Sequence, residues 1–220
     1  MMGLEGVVLN PGVYLVTDPQ LCGARGVLET VRSAVDGGIE MVQIRDKNAS
    51  AVDLSEVVMR IADAVGDRAM VLVNDRVEVY LAARAAGAAV HGVHIGQSDL
   101  SAAQVRAMAG PEAIIGLTAN TVGHLNRLHA LPEGTVDYLG VGVIHPTLTK
   151  PDHPAPLGID GFAAIAAATT VPCVAIGGVK LADVRPLRRA GAAGVAVVSA
   201  ICAADDPARV AEDFLEEWNR

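Results

Sequence analysis

Short apolar runs rich in valine and isoleucine return eight times along the chain, at 13–17, 41–45, 70–74, 90–95, 113–117, 138–143, 172–176 and 194–198. Runs of five or six residues that are apolar on both faces suit parallel strands covered on each side, not half-exposed antiparallel ribbons. Between them lie stretches with one apolar stripe at helical spacing, at 25–35, 50–65, 77–86, 101–108, 121–130, 159–168, 182–190 and 207–218. Ser101 and Asp205 or Asp206 stand where helices start, and Gly37, Gly87, Gly110 and Gly191 where left-handed caps would end them. The period is therefore strand, helix, strand, helix.

Eight such units in 220 residues predict an α/β fold, a closed (β/α)8 TIM barrel forming one domain over 1–220, near the lower end of the ~200–400 residue range of that architecture. An open, doubly wound sheet is the competing topology. Against it, Asp18-Pro19-Gln20 follows the first run where a dinucleotide-binding turn would carry G-x-G-x-x-G, and no G-x-x-x-x-G-K phosphate loop occurs.

The partner class narrows with charge. Lys and Arg number 17 against 25 Asp and Glu, a net charge of −8, which repels phosphate backbones, and aromatics make up only 3%, so nucleic acid is not expected as a partner. The uncharged stretch 190–204 is shorter than the ~20 residues of a membrane span and rich in Ala and Gly, so no membrane partner is expected either. Three cysteines, Cys22, Cys173 and Cys202, suit neither a disulfide scaffold nor a zinc site. With no basic, apolar leader at the start, the reading is a cytoplasmic protein acting on small molecules. Self-association into a homo-oligomer is left open.

In such a barrel the chemistry collects at the carboxyl ends of the strands, and the residues there are polar: Gln43, Arg45 and Lys47; Asn74 and Asp75; Asp99; Thr118; Thr147, Thr149 and Lys150; Gly178; Val198 and Ser199. Strand alternation sends Gln43, Arg45 and Lys47 to one face. Two cations pointing inward suit phosphate oxygens, though an internal pair of Arg45 with Asp18 or Asp75 fits the motif equally well. Asp75 and Asp99 end neighbouring runs and invite a divalent cation, while a helix cap at Asp75 and a turn at Asp99 stand as the plainer reading. Gly177-Gly178 is either a tight turn or, with Val198-Ser199, a phosphate cradle of backbone amides. The segment 146–158 holds four prolines and no apolar period, and reads as a lid loop bringing Thr147, Thr149 and Lys150 to a ligand. His91 and His94 point to opposite faces of their strand, and ordinary packed or surface roles are assigned to both.

Taken in order, Tyr14-Leu-Val-Thr-Asp18, Gln43-Ile-Arg-Asp-Lys47, Asn74-Asp75, the run from Gly92 to Asp99, the run from Gly140 to Lys150 and Ala175-Ile-Gly-Gly178 resemble the thiamine phosphate synthase family over nearly the whole chain. That resemblance implies a transferase that joins a pyrimidine diphosphate to a thiazole phosphate with magnesium (Mg2+), releasing pyrophosphate. It implies that Gln43, Arg45, Lys47, Asn74, Thr118 and Lys150 hold the pyrimidine diphosphate and that Asp75 and Asp99 bind the metal. Thr147, Thr149, Gly178, Val198 and Ser199 would then receive the thiazole phosphate, with Arg45, Lys47 and Lys150 as the catalytic cations. Thr118 stands where the family commonly has serine, and His145 where an aromatic residue is common. Two alternatives are a related thiazole tautomerase, to which retention of the cations and carboxylates runs counter, and a non-catalytic phosphate-binding barrel.

Overall fold

The computed structural model describes residues 9, 11–147, 149 and 155–220. Each of the eight apolar runs forms a strand: β1 Gly12–Val16, β2 Met41–Ile44, β3 Met70–Asn74, β4 Gly92–Ile95, β5 Ile114–Thr118, β6 Tyr138–Gly142, β7 Cys173–Ile176 and β8 Gly194–Val197. All pair in parallel with their sequence neighbours, and β8 returns to β1 with Gly12 opposite Gly194 and Leu15 opposite Val197. The barrel is closed, so no strand edge is left unpaired.

Helices cover the outside: α1 Pro19–Cys22, α2 Gly26–Asp36, α3 Ala51–Val65, α4 Val77–Ala85, α5 Ala102–Ala109, α6 Val122–His129, α7 Gly158–Ala167, α8 Val184–Arg189, α9 Ser199–Cys202 and α10 Pro207–Asn219. Eight follow the striped segments of the sequence. The four-residue α1 and α9 do not, because one turn is too short to show a helical period. The apolar faces of helices and outward strand residues merge into one core, whereas a smaller cluster of Tyr14, Val16, Met41, Leu72, Ile114, Tyr138, Val174 and Ala196 fills the barrel interior. Burial in these two layers is the dominant stabilising contribution.

Local signals explain the helix ends. Ser101 accepts from the Gln104 N–H at 3.4 Å while the Gln104 side chain accepts from the Ser101 N–H at 3.1 Å, a reciprocal capping box. Ser101→Ala is expected to cost about 1 kcal/mol, read as a lower urea midpoint with unchanged slope. Asp206 caps α10 by accepting from the Arg209 N–H at 3.1 Å. Gly87, Gly110 and Gly191 have the expected positive φ. Gly37 does not: it continues the helical turn at φ −80°, and the left-handed residue is Gly38 at +96°. At Gly37 the need for glycine is space instead, since an added Cβ would lie 2.8 Å from the Ala208 Cα.

Candidate active site

The carboxyl ends of the strands open on a cavity of about 570 Å3, and the polar residues gather there. Gln43, Arg45 and Lys47 all line it, as alternation along β2 requires. The ladder itself stops at Ile44, and Thr17 takes over: its Oγ1 accepts the Arg45 N–H at 2.9 Å and donates to the Arg45 carbonyl at 3.3 Å. Both backbone polar groups of Arg45 are thereby held where the sheet no longer pairs them. The Arg45 guanidinium lies 3.7 Å from Asp18 Oδ2, while Asp18 Oδ1 caps α1. An internal ion pair therefore exists, but 3.7 Å is longer than a charge-assisted hydrogen bond, and it does not exhaust five guanidinium donors.

Beyond β3, Asp75 adopts the left-handed conformation at φ 59°, and across it the Arg76 N–H donates to the Asn74 carbonyl at 2.7 Å. Non-glycine residues rarely hold this geometry, and Asp and Asn tolerate it best. Asp75 lines the cavity and does not cap α4, whose N-cap residue is Arg76. Asp99 has the expected turn contact, its Oδ2 accepting the Gly96 N–H at 2.7 Å, and it lines the same cavity. The two carboxylates meet. Burial, followed by the charge and hydrogen bond of Asp99, pushes the Asp75 carboxyl up to about 6, against the opposing pull of Asn74 and Lys47.

Below the mouth, five polar side chains cross the barrel interior. Gln43 Nε2 donates to Tyr14 Oη at 2.5 Å, Tyr14 Oη lies 3.3 Å from Tyr138 Oη, Tyr138 Oη lies 3.0 Å from His94 Nδ1, and His94 Nε2 lies 3.1 Å from Thr118 Oγ1. Burial drives both phenols well above their usual range, so they remain protonated. Glycines make room for the rings: a Cβ at Gly116 would overlap Tyr138 and come within 2.5 Å of His94 Nδ1, and one at Gly140 would lie 2.8 Å from His94 Cε1. His94, assigned an ordinary packed or surface role from its strand position, is buried and also lines the cavity. His91 has the packing role, accepting the Val71 N–H at 3.0 Å.

Of the residues singled out from the sequence, Gln43, Arg45, Lys47, Asn74, Asp75, Asp99, Thr118, Thr147, Thr149 and Val198 line this one cavity. The Thr147 and Thr149 hydroxyls are 2.8 Å apart. At the double glycine, Gly177 is the lining residue, whereas Gly178 backs onto His145, whose Cβ would sit 2.9 Å from an added Gly178 Cβ. His145 in turn pairs with Asp183 at 2.9 Å. Ser199 opens α9 and is exposed, outside the lining set. Lys150 and the other residues of the proline-rich loop at 148 and 151–154 lie outside the described residues. The cavity also takes in His94 and His124, for which a strand-end reading gives no signal.

Two carboxylates and no third acidic, His or Cys ligand among the described residues make a donor set for a hard cation that completes its shell with water and phosphate oxygens. Cations of Arg45 and Lys47 on the same wall supply the complementary charge for a polyanion.

Residues 13–201 match the family described as thiamine monophosphate synthase. The thiamine-phosphate synthase of Psychrobacter sp. is 42% identical over 200 residues, covering 91% of this chain and 92% of that protein. That of Azorhizobium caulinodans is 44% identical over 212 residues, covering 94% and 96%. Among solved structures, the thiamine phosphate pyrophosphorylase from Pyrococcus furiosus superposes with a TM-score of 0.82 at 28% identity, covering 96% of each chain. With its closed parallel barrel and polar strand-end cavity, the chain belongs to the thiamine monophosphate synthase family.

Proposed function

We propose that this protein is a thiamine-phosphate synthase, a transferase condensing 4-amino-2-methyl-5-hydroxymethylpyrimidine diphosphate with 4-methyl-5-(2-hydroxyethyl)thiazole phosphate. The observation that carries the reading is the convergence of Arg45, Lys47, Asp75 and Asp99 on one cavity, in a chain of this family. An isomerase that only moves protons has no use for that pairing of cations with carboxylates, and the tautomerase alternative is not favoured.

The reaction forms a bond from the thiazole nitrogen to the pyrimidine methylene and breaks the carbon–oxygen bond to diphosphate. The attacking nitrogen carries no proton, so no general base is needed. The protein's tasks are alignment, exclusion of water and neutralisation of the leaving charge. Arg45 and Lys47, with Lys150 by family resemblance, draw on the departing diphosphate. Gln43, Asn74 and Thr118 hold the pyrimidine half. Thr147, Thr149 and Val198, which line the cavity, take the thiazole phosphate, with Gly178 and Ser199 joining them by family resemblance alone, and the 146–158 loop acts as the lid. Asp75 and Asp99 would hold magnesium, which supplies Lewis-acid neutralisation of diphosphate oxygens. The free thiols Cys22, Cys173 and Cys202 fit the cytoplasmic setting proposed here, and no helix among the described residues is long and apolar enough to cross a membrane.

The test is incubation with both phosphorylated precursors and magnesium: stoichiometric thiamine phosphate and pyrophosphate are expected, and no condensation from active precursors rejects the reading. A second outcome concerns pH. Asp75 binds its proton up to about 6, and that proton competes with metal. The magnesium concentration giving half-maximal rate should rise about tenfold per pH unit below 6 and level off above it. A flat dependence between pH 5 and 7 contradicts Asp75 as a ligand.

A further inference from the structure

The hydrogen-bonded chain inside the barrel has a direction, set by its end at β2. The Gln43 amide nitrogen can only donate, so Tyr14 Oη accepts from it and has its own proton to place. The partner within reach is Tyr138 Oη, since a buried hydroxyl proton without an acceptor is costly. Tyr138 Oη, which the Gln43 side chain also reaches, accepts in this sense and has His94 Nδ1, 3.0 Å away, as the acceptor for its own proton. An imidazole whose Nδ1 accepts is neutral with its proton on Nε2, and that Nε2–H donates to Thr118 Oγ1. With this polarity the Thr118 hydroxyl is an acceptor on its inner side and can present its own proton to the cavity it lines.

We propose that Tyr14, Tyr138 and His94 are positioning residues that fix the polarity of this chain, so that Thr118 meets the pyrimidine diphosphate as a hydrogen-bond donor. The idea rests on the function proposed above and deepens it: the site selects a substrate with an acceptor atom, a ring nitrogen or a phosphate oxygen, facing β5. Two features show that the interior is shaped around this chain. Gly116 and Gly140 keep clear the volume that the His94 and Tyr138 rings occupy. Tyr14, Gln43, His94 and Tyr138, drawn from four different strands, are all buried in an interior otherwise filled by aliphatic side chains. A polar chain in such a place persists only when each member is satisfied, so a change at one member reorients the next.

Two measurements decide it. In protein labelled with 15N-histidine and free of substrate, the His94 resonances, identified by their loss in His94→Gln, are expected to report a neutral ring protonated at Nε2. A ring protonated at Nδ1, or at both nitrogens, overturns the proposal. The second is a double-mutant cycle in the condensation assay. Tyr138→Phe keeps the ring but removes the donor to His94, and should lower kcat/KM for the pyrimidine diphosphate about tenfold, leaving KM for the thiazole phosphate within about twofold. Thr118→Val should lower kcat/KM to a similar extent, about tenfold. In the Thr118→Val background the Tyr138→Phe effect should shrink below about twofold, because Tyr138 acts through Thr118. An equal loss in both backgrounds signals a merely structural tyrosine and overturns the assignment. Should the wild-type protein condense nothing, the substrate reading falls and takes the named ligand with it, whereas an Nδ1-protonated His94 removes the ordered chain alone.

Discussion

In metal-free buffer at neutral pH, Asp75→Asn should melt about 3 °C above the wild-type protein while condensing its substrates on the order of a hundredfold more slowly. The two effects have one cause. Burial and the facing Asp99 raise the Asp75 carboxyl from 3.8 to about 6, so the folded chain holds this proton more tightly than the unfolded chain does. Stability contributed by that proton is complete below about pH 4 and is lost as pH rises through 6. At neutral pH the ionised pair opposes folding. Two pKa units would correspond to about 3 kcal/mol, and solvent screening of a partly exposed carboxylate reduces this to about 1 kcal/mol. Asparagine removes the repulsion and accepts the φ of 59° as readily as aspartate. Magnesium with pyrophosphate should raise the melting temperature of the wild type and leave the variant nearly unmoved. If Asp75→Asn melts lower in metal-free buffer at pH 7.5, the carboxylates are not in conflict and their role as a metal pair loses its physical basis. The advantage of the variant should also vanish near pH 4.

Gly116→Ala should destabilise the barrel by about 3 kcal/mol, a fall on the order of 10 °C in melting temperature. The added methyl has nowhere to go: it would overlap the Tyr138 ring and lie within 2.5 Å of His94 Nδ1, two buried rings already bonded to each other at 3.0 Å. Relief requires a ring to leave its rotamer or β5 to move outward, and the closed ladder resists the second. Gly140→Ala is the graded control. Its methyl would meet only the His94 ring, at 2.8 Å from Cε1, so about 1 kcal/mol is expected, and His94→Ala in the same chain should recover most of it. Chemical denaturation measures all of these. A Gly116→Ala variant within about 0.5 kcal/mol of wild type would mean that the Tyr138 and His94 rings do not pack against Gly116.

Much of this architecture was legible before any coordinates, because a parallel strand buried on both faces leaves a signature in few residues. Each apolar run became a strand with ends shifted by at most two residues, and reading the polar residues at and after the ends of those runs picked out Gln43, Arg45, Lys47, Asp75 and Asp99, which line one cavity. What stayed hidden depends on contacts between distant segments. Tyr14 and Tyr138, 124 positions apart, count as apolar members of their own runs, and only the strand register brings their hydroxyls together. His94 lies on the inward parity of β4 with Gly92, but nothing local says that Gly116 and Gly140 clear space for its ring. The Gly37–Gly38 case is subtler. Two glycines in succession mark a helix end without saying which one turns left, and packing of Gly37 against Ala208 of the last helix decides it.

The β1–β8 junction pairs four residues on each side, as many as β2 with β3 or β6 with β7. A ring whose closing joint matches the others in register has no structurally privileged first strand. Cutting it at the 87–91 connection between α4 and β4, and joining the present ends by a flexible tether, would put a different strand first in synthesis order while leaving every ladder available. Such a rearranged chain is expected to close the same barrel and to unfold cooperatively in urea, since the ladders and not the genetic order complete the circle.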